Sequence, residues 1–335
     1  MNRNLNIDIG KDEYGKEIII NISDVKHLLM AGSTGSGKST LLHKIVTTLI
    51  TNVFPEDLRL ILIDPKRVEL TLYNKIPHLL TEVIVDPKKA VLAMKWATKE
   101  INRRFDVFNE TNCKDISQYK GSESMPHILI VIDEFSDLIQ TYPKEVEEVV
   151  LKIAGIGHSV GVHIILSTSR PSTKVYTKAI QDALTSRVGL QVASATDSKL
   201  IIGTDSASTL RGSGDVLFRI GMKYVIRGQV DFISEKQIKE LVNLLRNKYE
   251  ESLEVAEPVA ISIFMLEEDF DVGDDSLYEE VKEAVIKAGK VSTSYIQRKF
   301  GIGYSRSAGL IDMLERRGII GPANGAKPRL VIKKK

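Results

Sequence analysis

Cysteine is nearly missing from this chain. Cys113 is the single one among 335 residues, which excludes an internal disulfide and a Cys-based zinc site and leaves an ordinary thiol in or near a loop. Long apolar runs are missing too: no stretch of about eighteen uncharged apolar residues occurs, and residues 1–20 have neither the apolar core nor the cleavage site of a signal peptide. The expectation is a cytoplasmic chain with no membrane span. Internal repeats and low-complexity tracts are also absent. What remains is an ordinary globular composition, 43% apolar and 27% charged, long enough for about two domains.

The net charge of +2 hides an asymmetry. Residues 251–275 carry nine acids, from Glu251 to Asp275, and no Lys or Arg, and read as a solvated linker. From Lys290 onward Lys and Arg outnumber the acids Asp312 and Glu315, and a small basic module of this kind suggests a polyanionic partner.

Short apolar runs bounded by turn signals predict buried strands at His27–Ala31, Arg59–Ile63, His127–Ile132, His163–Thr168 and Arg187–Val192. Between them, Val91, Met94, Thr98, Ile101, Phe105 and Phe108 step by three and four, which predicts a helix with one mostly apolar stripe; Lys95, Lys99, Arg103 and Arg104 are expected off that stripe, and Trp96 to serve packing. Strands alternating with helices imply a mostly parallel sheet covered on both faces. Residues 1–26, with turn-like Asp12 and Gly15 and alternating Ile18 and Ile20, read as a hairpin leading into it.

Residues 32–39 read GSTGSGKS, directly after the apolar strand HLLMA and before the helical run TLLHKIVTTLI. That context marks a phosphate-binding loop. Gly32, Gly35 and Gly37 let the backbone curl so that the N–H groups of the loop, from Ser33, Thr34 and Ser36 through to Thr40, can face phosphate oxygens, and the following helix adds its positive end. Lys38 is placed on the β and γ phosphates, and Ser39 on Mg²⁺. The strand HILIVI then ends in two acids: Asp133 is expected to hold the metal, and Glu134 to orient and deprotonate the attacking water.

These residues resemble the FtsK/SpoIIIE motors. The resemblance rests on ILIDPKRVELTLYNKIPHLLTEV at 61–83, INRRF at 101–105, VIDEFSDL at 131–138, GVHIILSTSRPS at 161–172, GSGDVLF at 212–218 and, for the family's γ domain, residues 297–331. It implies an α/β, RecA-like P-loop NTPase at residues 1–250, with a hairpin remnant, the acidic linker at 251–275, and a winged-helix (helix-turn-helix) DNA-binding domain at 276–335. It further implies an ATPase that uses ATP and Mg²⁺ and encircles double-stranded DNA as a homo-hexamer. Three departures stand out. The family's membrane-spanning region is not in this sequence, which therefore reads as either a trimmed piece or a short relative. Where the family has a candidate trans-acting arginine, this chain has His158, and where it has a glutamine as phosphate sensor, this chain has Ser169. Since an arginine finger is worth about 10³–10⁵ in turnover, Arg104, Arg170 and Arg187 become candidates to replace it.

Lys174 and Lys178, with Lys114 and Lys120, match positions of the family's DNA-facing loops and suit contacts to phosphate that ignore sequence. In the last module three helices are expected at Leu277–Ala288, Thr293–Phe300 and Tyr304–Arg317, broken by Gly289, Gly301 and Gly303, followed by a two-stranded wing from Ile319 and Ile320 to Leu330–Ile332. Leu310, Met313 and Leu314 are expected inside that module. Ser305 and Arg306 are placed at the reading end, Arg298 and Lys299 beside it, and Lys327 and Arg329 on wing phosphates. Gly309 stands where the family has an arginine, which removes about 1–3 kcal/mol of discrimination at one base. Two rival readings remain: an ATP-switched DNA-binding regulator, and a pumping ATPase of a secretion or conjugation apparatus.

Overall fold

A computed structural model describes residues 5–121, 123–221, 225–249 and 277–302, and further on 307, 310, 311, 313–315, 317–322 and 329–332. It divides into two compact units, Met1–Glu267 and Glu268–Lys335.

The first unit is built on a nine-stranded sheet. In chain order the strands are β1 (Asn6–Asp12), β2 (Glu17–Asn21), β3 (Leu28–Ala31), β4 (Leu58–Ile63), β5 (His127–Ile132), β6 (Val162–Thr168), β7 (Arg187–Leu190), β8 (Asp215–Arg219) and β9 (Val225–Val230). Their spatial order is β2-β1-β9-β8-β7-β3-β6-β5-β4. The five strands from β7 to β4 are parallel. Every residue of β3, β5 and β6 is buried, as a sheet covered on both faces requires. The other four strands extend the sheet in antiparallel fashion on one side, so the sheet is mixed, with its parallel strands in the majority. The reason is connectivity: β1 and β2 form a hairpin and β8 and β9 pair directly, and neither link has the crossover helix that parallel neighbours need.

Helix Lys38–Asn52 follows β3 and buries Leu41, Leu42, Ile45, Val46, Leu49 and Ile50 against the sheet. Each such side chain is worth about 1.5–3 kcal/mol, so the start of this helix is held in register by its apolar face. Helix Pro87–Glu110 is capped by Asp86, whose carboxylate accepts from Lys89 N. Val91, Met94, Thr98, Ile101 and Phe108 are buried on it as expected, Phe105 is half-buried, and Arg104 departs from expectation.

Arg104 is only 2% exposed. It lies three residues after Ile101 and four before Phe108, which puts it on the apolar stripe by helical geometry. Its charge is matched from within, since Nε donates to Glu100 Oε1 at 2.8 Å and Nη1 to the Val160 carbonyl at 2.9 Å. Arg104→Ala is expected to cost about 1–3 kcal/mol of stability by leaving the buried Val160 carbonyl without its side-chain donor, while Glu100 keeps Arg103. Denaturant titration checks this, and a midpoint within error of the parent's would refute the structural role.

Four histidines gather at the amino-terminal ends of β3, β5 and β6. His127 Nδ1 lies 3.1 Å from His163 Nε2, whose Nδ1 is 2.8 Å from the Lys26 carbonyl, while the rings of His27 and His158 meet edge to face at 6.1 Å. Burial first, then the neighbouring charges of His163, His158 and Lys26, lower the His27 pKa to about 3. Burial likewise takes His163 to about 4. Because these folded values lie below the unfolded one, the unfolded chain binds more protons. The stability they supply is complete above about pH 6.5 and is lost as the pH falls toward 4 and then 3. Melting curves at pH 7, 5.5 and 4.5 should show a falling midpoint; a flat series would mean the rings take up protons as readily in the folded chain as in the unfolded one.

The second unit has helices Tyr278–Ala288 and Thr293–Phe300, ended by Gly289 and Gly301 in the left-handed conformation at φ 72° and 64°. Residues 307, 310, 311 and 313–315 are helical. Leu310, Ile311 and Leu314 join Tyr278, Val281, Val285 and Ile296 in one core, with Met313 partly buried against it. The expected pairing across the wing is present as an antiparallel bridge from Ile320 to Val331, and a strand not foreseen, β10 (Lys290–Val291), pairs with β11 (Arg329–Leu330) as well. The two residues of β10 were too few to show a strand pattern in sequence.

Candidate functional site

The carboxyl ends of β3, β4, β5 and β6 lie side by side, which brings four loops onto one cavity of about 460 Å³. The first is the glycine loop between Ala31 and Lys38. Gly37 sits at φ +98°, and a Cβ there would lie 2.3 Å from Gly214 N, so only glycine lets the two loops meet. The loop is held from behind: Ser213 N donates to the Gly35 carbonyl at 3.2 Å, Gly214 N to that of Ser36 at 2.8 Å, and Ser33 N to that of Gln191 at 2.8 Å. The first helical bond runs from Leu41 N to Gly37. The N–H groups of Lys38, Ser39 and Thr40 therefore have no partner within the helix, and a helix start of this kind attracts an anion. Ser33, Thr34, Gly35, Gly37, Lys38, Ser39 and Thr40 line the cavity. Gly32 and Ser36 are buried beside it, where a Cβ on Gly32 would strike Ser36 Oγ at 2.4 Å.

Two acids face the loop from the end of β5. Lys38 Nζ lies 2.5 Å from Asp133 Oδ1, both nearly buried. Glu134 follows at φ +55°, an uncommon conformation for a side chain with a Cβ. Its Oε1 accepts from Ser136 Oγ at 2.7 Å, Thr168 Oγ1 at 2.6 Å and Ser169 N at 3.0 Å, and its Oε2 from Ser169 Oγ at 2.5 Å and Lys66 Nζ at 2.8 Å. Burial alone would raise its pKa, but these donors outweigh it and hold the carboxyl far below the usual range.

The third wall comes from the segment after β4, for which the sequence suggested no role. Asp64 is fully buried and its Oδ2 accepts from Glu69 N at 3.0 Å and Leu70 N at 2.9 Å, folding residues 64–70 back toward the loop. That turn delivers Lys66 to Glu134 and Glu69 to Ser39, whose Oγ donates to Glu69 Oε1 at 2.7 Å. His43 bridges Glu69 Oε2 and the Tyr73 hydroxyl, each at 3.0 Å, and its contact is the largest cause that lowers the Glu69 pKa. The available signal was an acid and a lysine directly beyond a buried strand in the DPKRVEL stretch.

The family model described as FtsK/SpoIIIE family matches residues 2–125, a span that holds both the glycine loop and this turn, and the model described as Ftsk gamma domain matches residues 272–334. The chain belongs to the FtsK/SpoIIIE family. A Clostridium tetani protein named DNA translocase FtsK is 40% identical over 99% of this chain, and a Staphylococcus aureus protein of the same name is 37% identical over 99%. The chain spans 46% and 43% of those relatives, a little under half their length. Among solved structures, the cytoplasmic domain of the Thermomonospora curvata type VII secretion ATPase EccC is 25% identical with a TM-score of 0.65, covering 73% of this chain and 31% of that one. The pCW3 conjugation coupling protein TcpA is 22% identical with a TM-score of 0.63, covering 72% of this chain and 70% of that one, and shows the fold alone. The first unit is thus a RecA-like P-loop fold with a mixed sheet, and the second a winged helix. Among the described residues no helix is long and apolar enough to cross a membrane.

Against the pattern of FtsK/SpoIIIE proteins, the candidate replacements for the arginine finger scatter. Arg104 is inside the chain. Arg187 is spent on carbonyls, with Nη2 to Gln181 at 2.8 Å and Nη1 to Leu200 at 3.2 Å. His158 stands with the other histidines at the amino-terminal ends of the strands, away from the glycine loop. Only Ser169 reaches the site, and the exposed Arg170 follows it. Lys114, Lys120 and Lys174 are exposed, as is Lys178, which pairs with Asp182 at 2.7 Å. In the winged helix Arg298 and Lys299 are exposed on their helix. Arg329, expected to reach for phosphate, is instead paired with Glu315, because its place in β11 turns it toward the third helix. Ser305, Arg306, Gly309 and Lys327 lie outside the described residues.

Proposed function

We propose that this chain hydrolyses ATP with Mg²⁺ and uses the cycle to move double-stranded DNA. The observation that carries the reading is the meeting, in one cavity, of an anion-attracting helix start, Lys38 and Ser39 with the acids Asp133 and Glu134. In this reading the loop amides and Lys38 hold the β and γ phosphates. Ser39 and Asp133 offer the hard oxygen donors that Mg²⁺ prefers, and Mg²⁺ when bound neutralises charge on the phosphate oxygens. Among the described residues no group of three or more His, Cys, Asp or Glu could hold a metal by itself. That fits an ion kept mainly by phosphate and water with one or two protein oxygens. Glu134 takes a proton from water as the water oxygen bonds to the γ phosphorus and the bond from that phosphorus to the ADP oxygen breaks.

The relatives named DNA translocase support DNA as the cargo. Exposed Lys174 and Lys178, with Lys114 and Lys120, would track phosphates without reading bases in a homo-hexameric ring in the cytoplasm. The residue 276–335 winged helix, joined by the acidic linker 251–275 to the residue 1–250 motor, would load or orient the ring through Arg298, Lys299, Ser305, Arg306, Lys327 and, once released from Glu315, Arg329. Displacement of a third strand from linear duplex tests the reading. A translocase strips the strand with ATP and not with a non-hydrolysable analogue, whereas an ATP-switched regulator or a pump for protein or single strands leaves it in place.

A further inference from the structure

The carboxylate of Glu134 is engaged by five donors, although an ionised carboxylate has about four lone-pair sites. Three donors crowd Oε1 and two share Oε2, so no acceptor position is left for a water proton. The five are not alike. Ser136, Thr168 and Ser169 sit on elements fixed by the sheet, with Ser136 and Thr168 buried. Lys66 reaches in on a flexible stem from the turn after β4, and its side chain is 47% exposed while that of Glu134 is 3% exposed. It is the donor that can leave at least cost. Lys66 also lines the same cavity as Lys38, where an incoming polyphosphate would compete for its ammonium.

We propose that Lys66 is a positioning residue that latches Glu134, occupying the carboxylate until polyphosphate draws the lysine away. The inference rests on the proposed hydrolysis reading and adds a brake to it: the base is engaged while the cavity is empty and released by substrate.

The test compares Lys66→Met and Lys66→Arg with the parent chain, without DNA, by phosphate release across ATP concentration and by binding of a fluorescent ADP analogue. Lys66→Met is expected to raise kcat/KM for ATP severalfold, with kcat and ADP affinity little changed, because only the free chain holds the latch closed. Lys66→Arg, which keeps the cation, should stay near the parent. A Lys66→Met chain with parental kcat/KM overturns the latch. So does one that binds ADP but no longer turns over, because the lysine would then act on the phosphates during the reaction. A parent chain that binds the ADP analogue but never releases phosphate overturns the hydrolysis reading itself, and the latch with it.

Discussion

Lys38→Ala should lower ATP turnover by at least about a hundredfold, the loss typical when a preorganised charge aimed at the transition state is removed. The ammonium sits at the start of the helix that carries the unpaired amides, with its Nζ 2.5 Å from Asp133 in a nearly buried setting. Alanine removes the cation that would neutralise the β and γ phosphates and also leaves Asp133 without its ion-pair partner, so the site becomes one charge more negative. The fold should survive, because the face of the helix that packs on the sheet is made by Leu41, Leu42, Ile45 and their successors. Phosphate release by the full chain is the measurement, with duplex binding as the control for an intact winged helix. Turnover at the parent rate would place the nucleotide elsewhere.

Glu134→Gln is the second large effect, expected to reduce kcat by about 10²–10⁴ while nucleotide affinity changes little. Glutamine keeps the shape, and the hydroxyls of Ser136, Thr168 and Ser169 can rotate to accept from the amide. What is lost is the negative charge that takes the proton. A single-turnover experiment separates the steps: bound ATP should persist uncleaved in the variant. Cleavage at the parental single-turnover rate would show that Glu134 serves the fold rather than the chemistry. Lys38→Ala and Glu134→Gln thus differ in kind, since the first should impair both binding and reaction and the second the reaction alone.

The glycine loop and the two acids were legible because their information is local. Gly37 at positive φ, a strand before it and an apolar helix after it all lie within about one supersecondary unit, and the run HILIVI declares both its burial and its end. Arg104 was misjudged although the signal was there. Helical spacing alone puts it between Ile101 and Phe108, and its charge argued against burial until Glu100 and the Val160 carbonyl were seen to receive it. The sheet's antiparallel half was only partly visible, with β1 and β2 readable as a hairpin but β8 and β9 hidden in a stretch without clear alternation.

The chain alone was enough to mark the loop at 32–39 and the pair at 133 and 134 as parts of one candidate phosphate site, because the residue types and their order along a strand, a turn and a helix dictate what those backbones and side chains can do. Tertiary folding decided who meets whom. Lys66 reaches Glu134 across 68 positions, and Ser39 reaches Glu69 across 30. Those partnerships exist only because parallel strands end at one edge and a buried Asp64 folds the following turn back over it. Contacts between residues so far apart leave no period and no spacing to read, and so the control of the site, unlike its parts, had to be seen in three dimensions.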